Sequence, residues 1–451
     1  MARPSPRLQL SSRRFLILRM ERAFARGDMY DHADSPRAQS VSLMVGAAAA
    51  AVVVTLGAVV TTWRPSPSVG DAQIVMVRDN GAVYVRVQDV LHPVLNLTSA
   101  RLIAGSGDGP RMVSAAALTD RKRGALLGIP GAPQEVGTLM PEPGWTVCDG
   151  TATTVIADTL APPVRWLGDG HALLVAGPSG STYLLYGGQR ARLDVSEPAV
   201  AKALRLDGLV PAPVSRALLE LVPEVPAITA PHIANIGSPG PAALPGFTVG
   251  DVVQVRGAGG TDFYVVLAGG VQPVGQVAAE VIRFGGPGAA VTTVAPASLS
   301  GLPTLGVLPV QQFPDRVDTV RGADAGTVCA SWHDSDGDGS QVDLSSGDIP
   351  LHPSQPPVPL AQADAAGPRV DEVYLPPGRA AYVRADRVGE GTGWLVSDLG
   401  IAFRVGDVDT ARVLGLPSPA TVPRAVLDAL PRGPQLSRSA ALTAYDVVAP
   451  G

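Results

Sequence analysis

One apolar run stands apart along the chain: Val41 to Trp63, VSLMVGAAAAAVVVTLGAVVTTW, holds no charged residue over 23 positions. A helix rising 1.5 Å per residue would make it roughly 34 Å long, slightly more than a bilayer's hydrocarbon core, so the pattern predicts one transmembrane helix. Before it, residues 8–26 (LQLSSRRFLILRMERAFAR) repeat apolar positions at helical spacing. Leu16, Met20, Ala23 and Phe24 fall near one face, Arg13, Arg14, Arg19, Arg22 and Arg26 on its flanks, and Gly27 supplies a C-terminal stop. A basic amphipathic helix in this position suits anionic lipid or a cytoplasmic partner. Its candidate docking residues are Arg13, Arg14, Phe15, Leu16, Arg19, Met20, Arg22 and Phe24.

Past the apolar run the period changes to two. Pro65, Ser66, Pro67 and Ser68 make a stiff spacer, and IVMVRDNGAVYVRV reads as two strands turning at Asp79-Asn80-Gly81. The unit recurs. Gly-x-x-aromatic follows a first strand at Gly81 to Tyr84, Gly180 to Tyr183, Gly260 to Phe263 and Gly391 to Trp394. A third strand and a helix-like run follow, ending near Ile103, Leu204, Ile282 and Leu414, 19 to 21 residues beyond each aromatic. The second and fourth copies continue into a short helix bracketed by prolines (209–226 and 415–434). Tyr84, Tyr183, Phe263 and Trp394 are expected to fill the core beneath each unit's helix, because a small βββα unit needs one large apolar side chain.

Charge gives the span a direction. Residues 1–40 carry eight arginines against four acids, whereas the first 20 residues past the span hold Arg64 and Arg78, so the N-terminus is expected in the cytoplasm. The alternative, a cleaved signal peptide, requires an earlier and shorter apolar run with a small-residue cleavage site. The two cysteines, Cys148 and Cys329, then lie on the extracytoplasmic side, where thiols are expected to oxidise; two buried free thiols are the alternative. Both sit in Thr-Val-Cys, as two equivalent facing strands would. A bridge between them would make a central β domain from two discontinuous pieces, 130–168 and 312–375. The expected architecture is α+β: a single transmembrane helix, then an elongated periplasmic region of four small βββα-type repeats around that clamped centre. The expected boundaries are 1–40 cytoplasmic helix, 41–63 span, 64–70 linker, 71–129 repeat 1, 169–248 repeat 2, 249–311 repeat 3 and 376–451 repeat 4.

Composition mainly excludes. A net charge of −5 argues against nucleic acid, which demands a basic surface. Lys122 and Lys202 are the only lysines, in Arg-Lys-Arg and Ala-Lys-Ala, so no Walker A loop exists to cradle a nucleotide's phosphates. Asp334, Asp336 and Asp338 open like a calcium loop, but Ser345 stands where the bidentate glutamate belongs, which favours an acidic hairpin tip. The six histidines lack metal-ligand spacing, and there is no HExxH or GxSxG. No catalytic residue, metal ligand or cofactor is expected. Asp149, beside Cys148, reads as an ordinary polar strand end, and Asn96-Leu97-Thr98 as an incidental glycosylation motif.

SRRFLILRMERAFARGD, the single span, YVRVQDVLHPVLNLTSARLI, PGWTVCDG, LLVAGPSGSTYLLYGGQRARLD and TVCASW, in that order, resemble EccB, a membrane component of the actinobacterial type VII (ESX) secretion system. The resemblance implies a cytoplasmic helix, one inner-membrane span and four periplasmic repeats around a central domain with a Cys148–Cys329 bond. It implies assembly with the EccC motor ATPase, EccD, EccE and a mycosin protease, in dimeric units of a hexameric complex. The function it implies is a structural core subunit for protein export. Two alternatives are a peptidoglycan-binding anchor and, since some family members are described as ATPases, a nucleotide hydrolase lacking a P-loop.

Overall fold

The computed structural model describes residues 6–26, 36–62, 68–158, 166–257, 260–286, 290–335, 339–365, 367, 369–386 and 393–446. The chain divides into two units, Met1–Ser68 and Val69–Gly451.

The first unit contains two helices. α1 spans Pro6–Arg26, and Phe15, Leu16, Met20 and Phe24 are exposed along it. The side chains of Arg22, Ala23 and Arg26 and the residue Gly27 lie outside what is described. α2 spans Pro36–Thr62 and exposes Val41, Leu43, Met44, Val53 and Val54. Among the described residues no helix is long and apolar enough to cross a membrane. Side chains in α2 are described for 40–56, so the last third of the apolar run, 57–63, lies outside them.

The second unit is sheet-rich, with five sheets among the described residues. Four of them are built alike. In the first, Ile74–Val77, Val83–Val87 and Val90–Val94 form an antiparallel meander turning at Arg78–Ala82, where the Asp-Asn-Gly signal lies. Helix α3 (Leu97–Ala104) follows, and then Arg111–Val113 returns parallel to the first strand. The second sheet has His171–Ala176, Thr182–Tyr186 and Gln189–Leu193, then α4 (Pro198–Ala203), the parallel strand Ala212–Pro213 and α5 (Arg216–Leu221). In the third come Val252–Gly257, Gly260–Leu267 and Gly270–Val274, then α6 (Gln276–Gly285), Thr292–Thr293 and α7 (Pro296–Leu299). The fourth holds Arg379–Ala385, Trp394–Ser397 and Ala402–Arg404, then α8 (Val408–Val413), Ala420–Val422 and α9 (Arg424–Ala429). The hairpins are local because turn geometry sets their register, whereas each parallel return needs the intervening helix to reverse direction.

Each crossover helix covers one sheet face. Val85, Leu97, Ala100 and Ile103 share a core with Leu395, Phe403 and Ala411, so the first and fourth sheets are joined through α3 and α8. α10 (Arg438–Ala441) enters that core too, and the final strand Ala444–Tyr445 pairs with Leu126–Leu127 at the edge of the first sheet. The second and third sheets share another core, in which α4 meets α6.

Three of the four recurring aromatics are not beneath their own helices. Tyr84 packs with Val75, Val113 and Leu118, on the face opposite Val85 and α3. Tyr183 and Trp394 likewise turn away from α4 and α8, into a core shared with the centre of the molecule. The physical reason is alternation: the next residue of each strand, Val85, Leu184 or Leu395, takes the helix-facing position. Phe263 alone lies on its helix side, with Val277 and Val281. Its register differs by one: Tyr264 stands opposite Pro273 as Tyr84 stands opposite Pro93. Gly260 is already the first residue of its strand, whereas Gly81 belongs to the turn, so counting from the glycine selects different faces.

Candidate functional site: the disulfide-clamped sheet

The fifth, central sheet runs Gly339–Gly347, Thr327–Ser335, Gly144–Asp149, Thr153–Asp158, Glu372–Tyr374, Val358–Pro359. Gly144–Asp149 and Thr153–Asp158 form a tight hairpin, while their outer neighbours come from about two hundred residues further on. Cys148 and Cys329 stand directly opposite on adjacent strands and are bonded, with Cα atoms 4.1 Å apart. Both are fully buried, and Ile156, Tyr374, Ile349 and Leu351 enclose the bridge. Beside it the turn 150–152 and the segment 348–357 border a cleft of about 700 Å³.

Alternation sends Trp145, Val147 and Asp149 to the other face. Trp145 is fully buried there against Trp332, Leu218, Val373 and Val426, a core that receives side chains from the second and fourth sheets through α5 and α9. Gly188 marks how closely the second sheet approaches: it has φ +72°, and a Cβ there would lie 2.2 Å from the carbonyl oxygen of Val342 on the central edge strand.

Asp149 is more than a strand end. Its carboxylate accepts the Thr153 hydroxyl at 2.8 Å and the backbone N–H of Ser215, the N-cap of α5, at 2.6 Å. Asp371 accepts the backbone N–H groups of Thr153 (2.8 Å), Asp364 (2.8 Å) and Ala365 (2.7 Å). Asp149, Thr153, Ser215 and Asp371 are all buried. Desolvation pushes the Asp149 carboxyl above its ordinary range, Ser215 and Thr153 oppose that, and the charge of Asp371 adds to it. No spacing rule could have found this pair, since 222 positions separate the two carboxylates and a third chain segment holds Ser215. The one legible signal was the short turn between Asp149 and Thr153.

Other candidates resolve simply. Asn96 is buried as the N-cap of α3, accepting from Ser99 N–H and donating to the Ile129 carbonyl, which leaves no room for a glycan. His333 meets Asp343 at 2.6 Å across the hairpin whose tip, residues 336–338, lies outside the described residues, so the aspartate-rich motif is described only at Asp334. Among the described residues no group of three or more His, Cys, Asp or Glu could hold a metal ion.

The buried Cys148–Cys329 bond thus joins strands from distant parts of the chain where the central sheet meets the second and fourth sheets. The family described as "Type VII secretion system ESX-1, transport TM domain B" (EccB) matches residues 2–450, and the chain belongs to it. It is 36% identical to the ESX-3 secretion system ATPase EccB3 of Mycolicibacterium smegmatis, over 98% of this chain and 91% of that protein. Identity to the ESX-5 secretion system ATPase EccB5 of Mycobacterium tuberculosis is 32%, over 98% and 94%. The fold matches a chain of the intact ESX-5 inner membrane complex, with TM-score 0.73 and 31% identity over 100% of this chain and 98% of the other. It also matches the EccB3 dimer of the ESX-3 core complex, with TM-score 0.71 and 34% identity over 83% and 100%.

Proposed function

We propose that this chain is a structural core subunit of a type VII secretion complex of the inner membrane, anchoring and assembling the channel and its periplasmic part. The observation that carries this reading is the end-to-end likeness to a chain solved within an intact ESX-5 inner membrane complex. The likeness to a dimer from the ESX-3 core supports dimeric units, which would combine into a hexameric assembly. EccC, EccD, EccE and a mycosin protease are the partners this role requires.

In this reading Val41–Trp63 is a single span, with the arginine-rich N-terminus cytoplasmic and the sheets periplasmic. The uncharged sequence and the exposed apolar side chains of α2 support it. A buried disulfide agrees with an oxidising compartment for the sheets. The four like sheets serve as repeats 71–129, 169–248, 249–311 and 376–451 around a centre made of 130–168 and 312–375; their shared strand order supports those boundaries. α1 docks the cytoplasmic partners through Phe15, Leu16, Met20 and Phe24, framed by Arg13, Arg14, Arg19 and Arg22.

Deleting residues 8–26 while keeping the span should abolish co-purification of the other core subunits; undiminished recovery would refute the docking role. Thiol labelling of single cysteines placed at the two ends of the chain should find them on opposite sides of the membrane. Both of these relatives are named as ATPases. For this chain, phosphate release no higher than a heat-killed control is expected, because the lysine of a P-loop is missing.

A further inference from the structure

The Asp149 and Asp371 carboxylates are both buried and meet on one residue, Thr153, yet the groups facing them differ in kind. Asp371 is surrounded by three backbone N–H groups, which can only donate. A protonated Asp371 would add its own O–H donor to a site already filled by three donors. Asp149 faces one backbone N–H and two hydroxyls, those of Thr153 and Ser215. A hydroxyl donates or accepts, so a protonated Asp149 could donate to Thr153 Oγ and keep the Ser215 bond on its carbonyl oxygen.

We propose that Asp149, Thr153 and Asp371 form a proton-binding latch, in which one proton is taken up at Asp149, fastening α5 and the 360–371 loop to the central sheet. It stands independently of the secretion role. Among the described residues no basic side chain is paired with either carboxylate from the elements packed around them. On α5, Arg216 and Glu220 are outward and paired with each other. Opposite Asp149 on the next strand is Val328, and Asp158 lies at the far end of its strand, opposite Gly144. Glu372 bonds Thr154, the neighbour of Thr153 that faces the other side of the sheet. In the loop, Asp364 accepts from the backbone of Arg369. Two close buried carboxylates without a counter-ion hold one proton between them more readily than either would alone.

The latch adds side-chain bonds to the backbone ladder, in which the Asp371 N–H already donates to the Thr153 carbonyl at 2.9 Å. Asp149 is the hydrogen-bond link between the central hairpin and the N-terminus of α5, and Asp371 holds Ala365 at φ +58°, a backbone state most side chains avoid. A folded state that binds the proton more tightly than the unfolded one gains stability as pH falls toward the ordinary carboxyl range. That gain is absent above the raised value.

Full-length protein in detergent, unfolded by heat at pH values from 8 to 4 and followed by tryptophan fluorescence, tests this. Asp149→Asn keeps both hydrogen bonds without the charge. It should melt at or above wild type at pH 8, by about 1–3 °C, and the difference should vanish toward pH 4. Asp371→Asn should melt below wild type at pH 8, or fail to fold. In infrared difference spectra the wild type should show a protonated-carboxyl carbonyl band that Asp149→Asn lacks. The proposal is overturned if Asp149→Asn fails to fold, if it melts below wild type at pH 8, or if its offset from wild type does not change with pH.

Discussion

The third sheet and the central sheet solve the same problem in opposite ways. Every strand of the third sheet comes from one stretch, 252–293, and the strands of each antiparallel pair are separated by two residues. The central sheet gathers strands from 144–158 and 327–374, so its inner pairs close loops of well over a hundred residues. Loop closure on that scale costs entropy before any contact repays it. The Cys148–Cys329 bond, with a separation of 181, removes much of that freedom from the unfolded chain. A sheet made locally needs no covalent help, whereas one assembled from distant pieces gains most from it.

Four experiments would break or sharpen that contrast. The largest effect is expected from Trp145→Ala, which empties a fully buried site where three sheets meet and should cost about 3–5 kcal/mol in denaturant unfolding. A loss below about 1 kcal/mol would mean that the central core is not the shared keystone. Next, Cys148→Ser with Cys329→Ser should cost about 2–5 kcal/mol. Hydrogen exchange should then speed up in Thr327–Ser335 far more than in Gly260–Leu267; equal acceleration in both strands would erase the distinction between the sheets.

Smaller effects test the same idea at helix ends. Asp407 caps α8 by accepting the Thr410 N–H at 2.6 Å, and that bond holds its carboxyl below the ordinary range. Asp407→Ala should cost about 1 kcal/mol at neutral pH. The sign is opposite to that of Asp149: the contribution of Asp407 is present above the ordinary carboxyl value and is lost as pH falls through the lowered one. A wild-type to Asp407→Ala difference that grew on acidification would contradict this. Smallest of all, Arg216→Ala removes an exposed ion pair to Glu220 on α5 and should shift the unfolding midpoint by less than Asp407→Ala does. A larger loss would show that the surface of α5, rather than its buried grip on Asp149, fastens the second sheet.

What sequence alone determined were the features governed by neighbours. The uncharged run 41–63, the Asp79-Asn80-Gly81 turn and the meanders are written in short-range periodicity, because turn chemistry and side-chain alternation act over a few residues. The two Thr-Val-Cys segments pointed to facing strands, and the bonded pair is opposed in register. Tertiary structure decided what depends on which face looks where. Tyr84, Tyr183 and Trp394 turned away from their helices, and Asp149 became a buried stitch to α5 rather than a strand end, since a one-residue step exchanges the two sides of a sheet. The pairing of Ala444–Tyr445 with Leu126–Leu127 was likewise settled only by the folded chain, because two apolar or mixed residues carry no partner's address until the surrounding core brings them together.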